Sequence, residues 1–572
     1  MKDKKRILFI GEASYLATGF STYWNEVIKR LHATNKFILA EQGSYGQDGD
    51  PRNNQVPWKF YPVKPHPHDK EATRIYDENL MHGSRTFQFG EWRFDSVCLD
   101  FKPDITLAIR DFWMDEFVFR SSFRKYFKFY WMPTIDGIPQ KPMWLDSYKL
   151  CDGVLTYSEW GMNVLKKDGR FGTNLLAVAS PGADLEIFKP VDDKREHKSK
   201  LGIDPNSLII GTVMRNQERK LYYDLIEAFA QWLYKSKSKG HLELANRTFL
   251  YLHTSYPDQG WDIGAAVKEF NIGNKVIMTY LCKECRTAFP SMFSGDVTHC
   301  RKCNKFCAIP PNASLHCPRN VLADIINTFD LYVQYSISEG WAMPLTEAMA
   351  CGVPTMAVRY SAMEDHLQCP TSIPIEVGRF FRESVVRTEQ RRALPDNQDF
   401  VRKLDIFLKK NEEQRKIISQ KTRQYCIESV DVWGQKEKLP RRGWERTAKI
   451  WENVIDQCKI YDREQTWHNM EPRIYKPYLT SEKINMSNAE FIRWIIRDVW
   501  NHPERCGTYF EGEWIRILNS GFRREGPNMI PMDRKKILEY FLSLVEHNNQ
   551  QELKRVGRMK TEDPNKINAM LM

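Results

Sequence analysis

"LIIGTVMRNQERKLYYDLIEAFAQWLY" runs from 208 to 234. It opens on a β-branched apolar run, breaks at a polar loop, and resumes with apolar residues at helical spacing. "LIIGTVMR" (208–215) therefore predicts a buried strand and "LYYDLIEAFAQWLY" (221–234) an amphipathic helix. The same unit occurs earlier. "RILFIG" (6–11) reads as a buried strand, and "STYWNEVIKRLHA" (21–33) follows with Trp24, Val27, Ile28 and Leu31 at helical spacing. "DITLAIRD" (104–111), "KFYWMPT" (128–134) and "GVLTYS" (153–158) are further strands before the restart. "TFLYLHT" (248–254), "KVIMTYL" (275–281), "DLYVQYS" (330–336) and "VPTMAVRY" (353–360) come after it. Continuous apolar strands separated by helices predict parallel sheets covered on both faces. The chain thus reads as α/β, with two doubly wound domains in tandem. The charged stretch "KPVDDKREHKSKLG" (189–202) joins them. Ligands of such folds bind outside the carboxyl ends of the strands, which here means the cleft between the domains.

Outward from that core, the expected organisation is a first Rossmann-like domain over 1–190 and a second over 201–461. A Cys-rich insert occupies 281–318 and a crossover helix about 441–461. Residues 462–572 form a mainly helical appendage, with "FIRWIIRDVW", "WIRILNSGF" and "RKKILEYFLSLVEH" as its helices and a frayed "TEDPNKINAMLM" end. A length of 572 residues suits three to four domains. No run of 18 apolar residues interrupts the chain, so no membrane span is expected. "MKDKKRILFI" reads as a first strand rather than a signal peptide, because its apolar run is short and no small-residue cleavage site follows. Thirteen cysteines then imply reduced thiols or metal ligation in the cytoplasm, not a disulfide framework. In that compartment the sequons at Asn246 and Asn312 are chance matches. The net charge of +11, from 84 basic and 73 acidic residues, is a modest excess compatible with an anionic partner.

Four stretches carry chemistry. In "SEGWAMPLTEAMACGVP" (338–354), Glu339 lies in a loop and Glu347 in a helix eight residues on. In "VMRNQERK" (213–220), a strand ends at Arg215 and Lys220 opens a helix. Two cations at a strand–loop–helix junction suit a diphosphate, because the helix N-terminus adds N–H donors. In "SPGADLEIFKP" (180–190), Gly182 and Asp184 precede Phe188 and Pro190. "TGFSTYWNEV" (18–27) places Gly19 in the loop before the first helix.

Together these resemble the retaining GT-B glycosyltransferases, in particular glycosyltransferase family four, over roughly 1–461. The resemblance implies a nucleotide-diphosphate sugar as co-substrate, a uridine diphosphate sugar such as UDP-glucose being the commonest donor among similar proteins. Glu339 would hold donor-sugar hydroxyls, aided by the backbone amides of Gly340, Trp341, Ala342 and Met343. Glu347 would accept from the ribose hydroxyls. A carboxylate has the acceptor sites for such vicinal pairs. Arg215 and Lys220 would neutralise the departing diphosphate, and Gly19 would approach the diphosphate or the acceptor. Asp136, in "WMPTIDGIP" (131–139), stands near the place where many members have a His that contacts the donor sugar. Two further departures are "ATGFS" for the usual Gly-Gly pair and Trp341-Ala342 for Phe-Gly, the latter expected to narrow the sugar pocket. Such proteins do not usually use a catalytic metal.

The insert is separate chemistry. Cys282 and Cys285 form one C-x-x-C pair and Cys300 and Cys303 another, with fourteen residues between the pairs. That is the spacing of a zinc ribbon with a structural Zn²⁺. Cys307, Cys317, His299 and His316 lie close enough in sequence to join or exchange. Lys283, Arg286, Arg301, Lys302 and Lys305 make the insert basic, and Phe289 and Phe306 could stack on bases. Three readings follow. The first acceptor is a hydroxymethylated base in double-stranded DNA, in a phage-like DNA modification that requires DNA binding and base extrusion. The second is a polysaccharide, lipid-linked glycan or protein. The third is a catalytically silent GT-B module that binds sugar or DNA.

Overall fold

The computed structural model describes residues 4–82, 86–168, 172, 174–312, 315–383, 388–468, 474–477, 479, 486–502, 505–506 and 509–561. The last eleven residues of the expected frayed end lie outside these. Seven strands make the first sheet: β1 (Arg6–Glu12), β2 (Ile38–Gln47), β3 (Lys59–Lys64), β4 (Ile105–Ala108), β5 (Lys128–Trp131), β6 (Gly153–Thr156) and β7 (Leu175–Val178). They run parallel in the order β3-β2-β1-β4-β5-β6-β7. The order reverses beside β1, and a crevice opens at such a switch point.

The second sheet repeats the plan. β8 (Leu208–Val213), β9 (Thr248–His253), β10 (Val276–Cys282), β14 (Leu331–Gln334), β15 (Thr355–Val358) and β16 (Ile373–Ile375) are its parallel strands, in the order β10-β9-β8-β14-β15-β16. The Cys-rich insert continues this sheet. β11 (Ala288–Met292) and β13 (Phe306–Ile309) pair antiparallel with β10, and β12 (Thr298–His299) pairs with β13.

Each sheet is sealed by its helices. Trp24, Val27, Ile28 and Leu31 of the helix Gly19–Ala33 are buried against Ile7 and Phe9 of β1. The helix Tyr222–Ser238 buries Leu225, Phe229 and Trp232 against the second sheet. Late in the chain, the helix Trp444–Gln457 returns to the first sheet. Trp451 donates to the Tyr23 hydroxyl at 2.7 Å, and Tyr23 donates to the Ala179 carbonyl at 2.8 Å. Lys5 closes that helix by donating to the carbonyls of Ile455 and Cys458 at 2.7 and 2.9 Å.

Gly182 marks where the two crossings between halves meet. A Cβ there would stand 2.5 Å from the Trp444 nitrogen, so only glycine admits the approach. Ala183 donates to the Arg442 carbonyl at 2.7 Å. The appendage has its own core, in which Ile492, Ile495, Ile496, Ile537 and Phe541 are buried, and it includes a hairpin, Phe522–Glu525 with Asn528–Pro531. Among the described residues, no helix is long and apolar enough to cross a membrane.

Candidate functional site: a closed cleft between two sheets

The carboxyl ends of both sheets face each other across a narrow cleft. On the second side, Glu339 follows β14 and Lys220 follows β8, so neighbouring strands bring them together. Lys220 and Glu339 form an ion pair and are only 7% and 5% exposed. Gln334 and Ser336 each donate to Glu339 Oε1 at 2.7 Å, and Arg219 reaches Oε2 at 3.2 Å. Burial works against the charge on Glu339, but the Lys220 ammonium and Arg219 guanidinium override it and hold the carboxyl well below its usual range. Burial, with Arg219 beside it, pulls Lys220 down.

Glu347 sits in the helix Met343–Ala350, buried, with Arg319 donating at 3.2 Å. Burial raises its pKa, and Arg319 partly offsets the rise. Arg319 also lies over the Phe188 ring at 5.2 Å, which ties the "SPGADLEIFKP" stretch to this helix. Arg215 behaves differently. It pairs with Asp258 through Nε at 2.8 Å and Nη2 at 3.0 Å, while Arg219 takes the place beside Glu339. Sequence reasoning passed over Arg219, because in "QERK" it reads as one more solvated charge.

The Trp341-Ala342 departure has a local account. Ala342 adopts φ 72°, a left-handed conformation that costs an alanine about 1–2 kcal/mol. The Trp341 indole donates to Thr346 Oγ1 at 3.0 Å and packs on His366, 4.4 Å between ring centres. The ring is thus committed to internal packing rather than standing free to narrow a sugar pocket.

From the first side, Gly19 approaches the start of the helix Met343–Ala350; a Cβ on it would lie 3.5 Å from Met343 Cε. Gly340 is approached more closely still, a Cβ there falling 2.6 Å from Thr134 Cγ2. Asp136 accepts from Ser338 at 3.2 Å and pairs with Arg392 at 3.0 Å. Arg392, in the hairpin Val377–Arg382 and Arg391–Pro395, also binds Glu383 at 2.7 Å. One guanidinium therefore latches the two halves together. Asp111, just beyond the end of β4, was not singled out from sequence. Burial and the nearby Asp136 raise its pKa to about 7. Its place at the end of the apolar run "ITLAIR" is the signal that would have found it. With Glu12 at the end of β1, the first side of the cleft carries three carboxylates.

The thiols of Cys282, Cys285, Cys300 and Cys303 lie within 4.8 Å of one another. Zinc–sulfur bonds of about 2.3 Å in a tetrahedron separate sulfurs by about 3.8 Å, so this donor set fits a four-thiolate zinc site. Cys307 approaches Cys282 at 3.5 Å but falls outside that mutual set. His299 is engaged by the Asn304 carbonyl at 3.2 Å. Arg301 stacks over Phe289, which is buried, and Lys305 pairs with Glu284 at 3.2 Å; of the two phenylalanines only Phe306, 60% exposed, is open to solvent.

The chain superimposes on sucrose-phosphate synthase from Thermosynechococcus elongatus with a TM-score of 0.55 at 15% identity, covering 79% of this chain and 99% of that one. It superimposes on the Anabaena HepE protein, solved in complex with UDP and glucose, with a TM-score of 0.51 at 11% identity over 79% and 100% of the chains. The N-terminal domain of Candida albicans trehalose-6-phosphate phosphatase gives 0.50 at 11% identity over 80% and 98%.

The fold is GT-B. Residues 313–368, which hold Glu339 and Glu347, match the family described as glycosyl transferases group 1. No curated protein matches the chain. The GT-B fold and the matched segment together support a glycosyltransferase of the GT-B type.

Proposed function

We propose that the protein is a retaining glycosyltransferase, similar to family four, that moves a sugar from a nucleotide-diphosphate sugar to an acceptor hydroxyl. The observation that carries this reading is the buried Lys220–Glu339 pair at the mouth of β8 and β14, with Glu347 one helix start away. Glu339 is ionised and accepts from sugar hydroxyls. Glu347 takes the ribose hydroxyls. Lys220 and Arg219 stabilise the negative charge that grows on the diphosphate as it leaves. Arg215 joins them when diphosphate draws it from Asp258. The anomeric carbon–oxygen bond to the diphosphate breaks as the acceptor oxygen bonds the same face, and the acceptor proton passes to a phosphate oxygen. The HepE complex with UDP and glucose favours a uridine diphosphate sugar. The four-thiolate cluster holds a structural zinc that shapes the insert.

For the acceptor, the carboxylates Glu12, Asp111 and Asp136 favour a neutral, hydroxyl-rich molecule such as a glycan. They accept hydrogen bonds from hydroxyls and repel a phosphodiester backbone. The DNA reading rests on the net charge, the basic ribbon and the Trp- and Arg-bearing appendage, whose Trp494 and Trp514 are buried. Labelled-sugar transfer from a panel of nucleotide sugars tests both, with glycans in one arm and DNA containing 5-hydroxymethylpyrimidines in the other. Label in glycan that disappears in Glu339→Ala is expected. Label confined to modified DNA would replace the glycan reading, and no label or donor hydrolysis with any donor would sink the enzyme reading.

A further inference from the structure

A second cavity, of about 570 Å³, lies away from the catalytic cleft, where the two halves cross behind it. One wall belongs to the second half's return crossing and carries Arg441, Arg442 and Arg446. The opposite wall is built from the starts of two helices, Glu159–Asp168 of the first half and Met363–His366 of the second, and carries Glu159, Glu364 and Asp365. Asn163, Ser180 and Gln368 add neutral polar groups.

The arginine wall is poorly satisfied. Arg442 is 7% exposed, and its Nε meets no hydrogen-bond acceptor among the described residues. Its Nη2 donates to the Asp365 carbonyl at 2.9 Å, and the guanidinium lies 4.8 Å over Trp341. Nε of Arg441 is likewise buried without an acceptor, although its Nη2 pairs with Glu428 at 2.5 Å. Arg446 has a long contact of 3.4 Å to the Asp431 carbonyl. Asp365 offers these cations little, because its two carboxylate oxygens accept from the backbone nitrogens of Glu159 and Trp160 at 2.6 and 3.1 Å. Three guanidiniums crowded at one wall of the cavity ask for an anion that accepts in several directions. The other wall asks for hydroxyls, which Glu159, Glu364, Asn163 and Gln368 can accept from or donate to.

We propose that this cavity binds a phosphorylated sugar, the phosphate on Arg441, Arg442 and Arg446 and the hydroxyls on the acidic wall. The site does not depend on the donor reading, since it shares no residue with the Glu339 cluster. Its occupant would touch both halves of the molecule and, through Arg442, the Trp341 of the "SEGWAM" loop.

Calorimetric titration of the protein with glucose 6-phosphate, in the absence and in the presence of UDP, tests the proposal. Saturable one-to-one binding is expected, weakened at least tenfold in Arg446→Gln and in Arg441→Gln. The far-ultraviolet circular dichroism spectrum and thermal midpoint of the same variants report that they fold. Asn163→Ala, which removes a neutral polar group of the cavity, is expected to weaken glucose 6-phosphate more than inorganic phosphate. Displacement of the probe by UDP would place it in the catalytic cleft and overturn the proposal. So would absence of saturation, equal binding by the arginine variants, or inorganic phosphate binding as tightly as glucose 6-phosphate.

Discussion

Lys220 and Glu339 are joined as a buried ion pair although 119 positions separate them in the chain. Removing one member leaves the other charge uncompensated in the interior, at a cost of about 3–5 kcal/mol. Glu339→Ala is therefore expected to lose transfer and to shift the urea midpoint sharply. The double variant Lys220→Ala/Glu339→Ala should be less destabilised than the sum of its singles. Strict additivity in the cycle would show that the two groups do not interact.

Arg392, held by Ser338 and Glu383 of its own half, reaches Asp136 across the cleft. Arg392→Ala is expected to open the two halves, raising the radius of gyration measured by small-angle scattering without loss of helix content. Arg392→Lys should fall between the two, since an ammonium lacks the planar fork needed to hold three partners.

Metal content is a direct test of the ribbon. One zinc per chain is expected from elemental analysis. Cys285→Ser and Cys300→Ser should each lose it. Cys317→Ser should keep it, because Cys317 lies outside the mutual thiol set. A strong chelator should lower the thermal midpoint of wild type and leave the Cys300→Ser midpoint where it is.

Glu41 sets a pH dependence. It is fully buried on β2, where Ser14 and Trp58 donate to it, and burial raises its pKa to about 7 despite those bonds. The folded state thus binds this proton more tightly than the unfolded chain, whose value is near 4.5. The stability it contributes is fully present below that value and is lost as pH rises through about 7, a span of about 3 kcal/mol. Unfolding free energies of wild type should fall over this window, and Glu41→Gln should flatten the slope. A wild-type profile without that fall would place the Glu41 proton elsewhere.

The strands legible in the sequence were those that are apolar on both faces: β1, β4, β5, β6, β8, β9, β10, β14 and β15. β2 hid itself because it points Glu41, Gln42 and Ser44 inward, where buried partners satisfy them. β7 is only partly buried at Leu175, Leu176 and Val178 and runs through Ala179 into the Ser-Pro-Gly turn. In the candidate site, the meeting of Lys220 and Glu339 was legible because each follows the end of a neighbouring apolar strand. Arg392 was not, because its work depends on Asp136, 256 positions away. Nothing local to either residue announces that pairing. Arg215 shows the converse. Its spacing suggested a diphosphate ligand, whereas the structure holds it on Asp258, a partner that no periodicity reveals.

The ribbon's continuity with β10 bears on what happens when it is lost. β10 is buried along its whole length, and β11 occupies the edge it would otherwise present opposite β9. Excising residues 283–307 would leave an apolar strand with a free row of N–H and C=O groups. Such an edge recruits strands from other molecules. The shortened chain would therefore come to grief through self-association in concentrated solution before any change in sugar chemistry could be read, and the insert protects solubility wherever else it contributes.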